Sequence, residues 1–108
     1  MKIIRRFFEW LGLTDSEDKK KCLEFLDEAK FLQIYYHVDF TMVRNEEGYF
    51  IFCYIQTDKT EARKTIVPKL DAEGRFKFYA IGDKFMAKHT QDAVNRLTDI
   101  VFNLKYGI

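Results

Sequence analysis

The chain has 108 residues, 47% of them hydrophobic and 18 aromatic (Phe 11, Tyr 6, Trp 1), enough for one packed core and too few for two. Eighteen Lys and Arg against 17 Asp and Glu leave a formal charge of +1, which argues against a dedicated, strongly basic nucleic-acid binder. The charge is unevenly spread: residues 15–58 hold ten acids and five bases (net −5), and residues 59–90 hold eight bases and four acids (net +4). Such asymmetry orients charged partners or lets two copies attract each other, although solvated surface charge is the commoner cause.

Residues 2–11 are amphipathic at helical spacing. Ile3, Phe7 and Leu11 share a face, Ile4, Phe8 and Trp10 widen it, and Gly12 stops the helix. Lys2, Arg5 and Arg6 beside these rings resemble a membrane-surface helix, but a segment this short with a net +2 binds a bilayer weakly. Glu9 interrupts any signal-peptide core, and Glu9 and Asp15 break every long apolar run. The expectation is a single domain over residues 1–108. It comprises a detachable N-terminal helix (1–12) and a compact core (14–108).

"TDSE" reads as a capping box, with Thr14 as N-cap and Glu17 three residues on. The helix it opens runs to about Phe31 and turns Cys22, Phe25, Leu26, Ala29 and Leu32 inward. From Ile34 the period becomes two: Ile34, Tyr36, Val38, Phe40 and Met42 alternate with Tyr35, His37, Asp39 and Thr41. "NEEG" (45–48) and "DAEG" (71–74) each suit a type I turn closed by a left-handed glycine, which predicts two hairpins. Pro68 places the third strand at an edge or a bulge. "GD" (82–83) leads into a brief fifth strand, "KFMA", in preference to helix. A last helix has Thr90 as N-cap, Gly107 past its end, and Ala93, Leu97, Ile100, Val101 and Leu104 on its buried stripe. The predicted order is α-α-β-β-β-β-(β)-α, an α+β fold in which helices cover one face of an antiparallel meander.

Type I turns at Asn45 and Asp71 fix an expected register. They place Phe40, Met42, Phe50, Phe52 and Tyr54, with Ile66, Pro68, Leu70, Phe76, Phe78 and Ala80, on the helix-covered face. The opposite face then holds Tyr35, His37, Asp39, Thr41, Val43, Tyr49, Ile51, Cys53 and Ile55, with Arg63, Thr65, Val67, Lys69, Lys77, Tyr79 and Ile81. A mixed face of this kind needs a cover, because apolar area left in water costs ~25 cal/mol per Å2. The N-terminal helix, a second copy or another molecule can supply it.

Function is expected to follow from that face. The preferred reading is a non-enzymatic, cytoplasmic protein-binding or adaptor module, a homodimer, with Phe7, Phe8, Trp10, Ile51, Ile55 and Tyr79 at the contact. The alternative is a single-stranded nucleic-acid binder using Arg63, Lys69, Lys77 and Tyr79, in which basic side chains meet phosphates and a ring stacks on bases. In the expected register Lys69 and Lys77 lie directly opposite each other.

Catalytic chemistry finds little support. His37 and Asp39 share a strand face, yet only His89 or Cys53 offers a third ligand and no motif links them. Cys53 has apolar neighbours, which raise a thiol pKa and spoil it as a nucleophile. Two cysteines, Cys22 and Cys53, are too few for a disulfide framework and suit reduced core thiols. No Gly-rich phosphate loop, GxSxG or HExxH occurs. No cofactor is expected.

Overall fold

A computed structural model of the chain describes residues 16–107. The expected helix over residues 1–12 and the proposed cap at Thr14 lie outside them. Within them the order is α1 (Glu17–Glu28), α2 (Lys30–Tyr36), β1 (Asp39–Asn45), β2 (Gly48–Gln56), β3 (Glu61–Leu70), β4 (Phe76–Ile81), β5 (Phe85–Ala87) and α3 (Thr90–Tyr106). The five strands form one antiparallel sheet in sequence order. The fold is the α+β meander that the alternation and turn signals predict.

Ser16, in an extended conformation, holds the N-cap position of α1 (φ −66°, ψ 158°), which puts Glu17 in the first helical position. Helix continues further than expected. After a break at Ala29, residues 30–36 form a second short helix that ends at His37 in the left-handed region (φ 54°). The alternation of Ile34, Tyr36 and Val38 therefore misleads for its first half. Leu32 is buried and the Tyr36 ring packs on Phe102 at 4.9 Å, so tertiary contacts hold this stretch as helix. At the other end His89, not Thr90, takes the N-cap position of α3, and Gly107 closes that helix in the left-handed region.

The core lies between the helices and one sheet face. Cys22 and Phe25 from α1, Leu32 from α2, and Ala93, Val94, Leu97 and Val101 from α3 meet Ile51, Cys53, Ile55, Ile66, Tyr79 and Ile81. Phe25 packs edge-on to Phe40 at 6.2 Å and tilted against Tyr79 at 5.8 Å.

Two local features set which side chains reach this core. The first connection is a two-residue loop, with Asn45 opposite Gly48, Arg44 opposite Tyr49 and Met42 opposite Ile51. A type I turn beginning at Asn45 and closed by Gly48 would instead set Asn45 opposite Tyr49, one residue later. A slip of one residue turns a strand over, so Ile51, Cys53 and Ile55 face the helices and Phe50, Phe52 and Tyr54 face away. The second connection is as expected: the Asp71 N–H donates to the Arg75 carbonyl at 2.8 Å, and Gly74 is left-handed (φ 81°). A bulge follows, since Leu70 pairs with Phe76 but Lys69 pairs with Phe78, which leaves Lys77 as the extra residue. Beyond it β4 is inverted relative to expectation. Tyr79 and Ile81 point into the core, and Phe78 and Ala80 point out.

Candidate functional site

Successive pairs place Val43 beside Phe50 and Val67 beside Ala80, with Ala80 beside Met86. The β2–β3 register ends where Ile51 faces Ile66, so Phe50 and Val67 lie just beyond it and line a groove. Each of the five strands therefore places an apolar side chain on the outer face. Phe52 is flanked by Thr41 and Thr65, and Tyr54 by Asp39 and Arg63. Phe78 stands beside Lys69.

Among the described residues no helix is placed over these rings, because α1, α2 and α3 all pack on the other side. Phe50, Phe52, Val67 and Phe78 are half-buried by their neighbours in the sheet, and Met86 is 73% exposed.

One corner of the face has a particular construction. Near the start of α1 the Asp18 carboxylate accepts the Tyr49 N–H at 2.8 Å and the Lys19 N–H at 2.9 Å. It comes so close to the β1–β2 loop that a Cβ on Gly48 would stand 2.1 Å from its Oδ2. The N-terminus of α1 is thus pinned to the end of the sheet. A groove of about 420 Å3 begins here, lined by Asp18, Glu47 and Gly48, and continues onto the outer face at Phe50, Thr65 and Val67.

The structure separates the predicted site residues. Ile51, Ile55 and Tyr79 are fully buried on the helix side and present no surface to a partner. The Tyr79 hydroxyl donates to the Lys21 carbonyl at 3.1 Å and lies 2.8 Å from Thr90 Oγ1, so this ring ties α1 to α3. Burial raises its pKa to about 12. Phe7, Phe8 and Trp10 fall outside the described residues. The residues that occupy the outer face, Phe50, Phe52, Phe78 and Met86, were not marked by sequence reasoning as site residues. In "YFIFCYI" both alternating sets are apolar, so only the length of the preceding turn decides between them.

The basic rim does not assemble. Lys77 sits in the bulge and Lys69 faces Phe78, so the expected lysine pair is absent. Tyr79 is on the other side of the sheet. Arg63 lies six residues along β3 from Lys69, about 20 Å at strand spacing, and is engaged with Glu61 at 3.5 Å and over the Tyr54 ring at 5.7 Å. Tyr54 donates a hydrogen bond to Glu61, which raises the phenol pKa.

His37 caps α2 and is not on a strand with Asp39. Among the described residues no three His, Cys, Asp or Glu side chains gather closely enough to hold a metal ion. Burial raises the Cys53 thiol to about 12, with Asp39 adding to the shift, and burial with Asp18 does the same for Cys22. Neither thiol is a nucleophile at neutral pH. No helix among the described residues is long and apolar enough to cross a membrane.

The fold and the site together define a class: a small α+β meander domain whose sheet carries helices on one face and aromatic side chains on the other. No protein-family model matches the chain, and no curated protein or solved structure is significantly similar to it.

Proposed function

We propose that this protein is a non-catalytic, cytoplasmic protein-binding module whose contact surface is the outer sheet face together with the N-terminal segment, and that a second copy of the chain is a partner there. The observation that supports it is the set of apolar side chains on the outer face, Val43, Phe50, Phe52, Val67, Phe78 and Met86, over which no described element lies. Rings held rigid by a sheet lose little conformational entropy on contact, which suits them as anchors. The opposed charges of residues 15–58 and 59–90 favour association of two copies in antiparallel orientation.

Light scattering on a sizing column tests the reading. The expected mass is about twice the chain mass of 13.0 kDa. Phe78→Lys and Met86→Lys, both outside the core, should return it to the monomer with an unchanged circular dichroism spectrum. A single-chain mass at every concentration would remove the second copy as partner.

A further inference from the structure

At β5 the sheet ends in a free edge with a cation fixed beside it. The Gly82 N–H donates to the Thr65 carbonyl at 2.9 Å, so the backbone groups of Ala80 turn toward β3 and those of Tyr79 and Ile81 toward β5. There they meet Ala87 and Phe85. Met86, between these two, directs its N–H and C=O away from β4, where no further described strand follows.

From α3 the Arg96 guanidinium lies over the Phe85 ring, 3.5 Å from its centroid. Its Nε is buried without a hydrogen-bond partner. Among the described residues no carboxylate forms an ion pair with Arg96, although Asp92 stands one turn earlier on the same helix. A cavity of about 440 Å3 opens between β5 and α3, lined by Phe85, Met86, Lys88, His89, Asp92 and Arg96. A guanidinium that has given up part of its hydration and has no counter-charge gains more from an anion than a fully solvated one. We infer that this edge binds an acidic, extended segment of a partner protein, which adds a strand to β5 and places a carboxylate on Arg96. The inference rests on the protein-binding reading, and it names a second surface and the chemistry of its partner.

A strand laid on this edge exchanges two backbone hydrogen bonds with Met86. The residue opposite Met86 shares its side of the sheet, where Met86 is 73% exposed, and an apolar side chain suits that place. The residues before and after it turn to the helix side, toward Phe85 and Arg96. Arginine's planar fork takes a carboxylate through two parallel hydrogen bonds, and stacking on Phe85 holds it in place for them. The matching segment therefore carries an apolar residue between two acids.

Charge selects the partner. Lys84 and Lys88 flank β5, and neither forms an ion pair among the described residues. Two copies joined at this edge about a two-fold axis would set Met86 against Met86 and Lys84 of one against Lys88 of the other, a repelling pair. Lysines at the ends of a short edge strand discourage such self-pairing. The same lysines attract an acidic segment.

The probe is the peptide acetyl-Thr-Val-Glu-Val-Glu-Val-Thr-amide, titrated into the isotope-labelled full chain and followed by NMR. Saturable shifts are expected at the Met86 amide and the Arg96 Nε–H, with binding that weakens as NaCl is added. Arg96→Gln, which keeps a stem over Phe85, should weaken binding roughly tenfold, as should the surface change Lys88→Glu and the peptide with Gln for Glu. Phe52→Lys, on a distant part of the outer face, should leave it unchanged. No shift at Met86 or Arg96 up to millimolar peptide overturns the inference, as does equal binding by the glutamine peptide. Shifts confined to Arg96 and reproduced by inorganic phosphate also overturn it, since the site then takes an anion and no strand. Light scattering separates this inference from the second-copy reading. A doubled mass without peptide binding defeats only the edge, and peptide binding in a protein of single-chain mass defeats only the second copy.

Discussion

Asp18 and Gly48 show how one pair of residues decides where an element ends. A carboxylate near the start of a helix is favoured by the exposed N–H groups and the dipole there, but Asp18 spends one oxygen on a different element, the Tyr49 N–H of β2. Glycine is required for this at position 48 on two counts. Its φ of +128° is strained for any L side chain, and its missing Cβ is the space the carboxylate fills. Gly48→Ala should therefore cost roughly 3 kcal/mol, from backbone strain plus a displaced charged hydrogen bond, read as a lower urea midpoint. Gly74→Ala supplies the comparison. Gly74 is also left-handed (φ +81°) but nothing stands within 4 Å of its Cβ position, so only the smaller strain of about 1 kcal/mol applies. Equal losses at the two glycines would mean that Asp18 does not hold α1 to the sheet.

At the scale of elements, the strands, the hairpins and α3 were readable because period and turn chemistry agreed. β1 and β3 were also readable face by face, since Phe40 and Met42 alternate with Asp39 and Thr41, and Ile66 and Pro68 with Thr65 and Lys69. β2 and β4 were not. Each is apolar on both faces, so side-chain pattern gave no vote and the register rested on turn length and an unsignalled bulge at Lys69 and Leu70. The residues expected on the outer face were thus right for β1 and β3 and exchanged between faces for β2 and β4. The end of α2 was lost for a different reason. His37 supplies a left-handed cap, with the Val38 N–H donating to the Leu32 carbonyl at 3.2 Å, in a place where glycine is the usual signal. Replacing it should reveal that strain. His37→Gly is expected to stabilise the chain by about 0.5 kcal/mol, the left-handed penalty removed less the extra freedom of an unfolded glycine. Thermal unfolding would detect this as a rise of a few degrees, and a fall would mean that the exposed imidazole makes an unrecognised contact.

Across the whole molecule, three buried weak acids make stability depend on alkaline pH. Cys22 and Cys53 are raised from 9.0 to about 12, and Tyr79 from 10.0 to about 12, in each case chiefly by burial. All three therefore hold their protons in the folded chain at pH values where the unfolded chain releases them. Between about pH 9 and 12 the unfolded state binds fewer protons, so stability falls as pH rises. Below pH 9 both states are protonated and the contribution is fully present. The three groups lie in one core, with Cys22 on α1, Cys53 on β2 and Tyr79 on β4 beside α3, so ionising any of them places a charge among Phe25, Ile51 and Val94. Unfolding at alkaline pH should then be cooperative: thiolate absorbance from Cys22 and Cys53 should rise together with the loss of helical circular dichroism. Thiolate absorbance that rises near pH 9 with the helical signal unchanged would show that water reaches these sulfurs. The core drawn by Ile51, Cys53 and Ile55 would then be open on the side where the helices are expected to seal it.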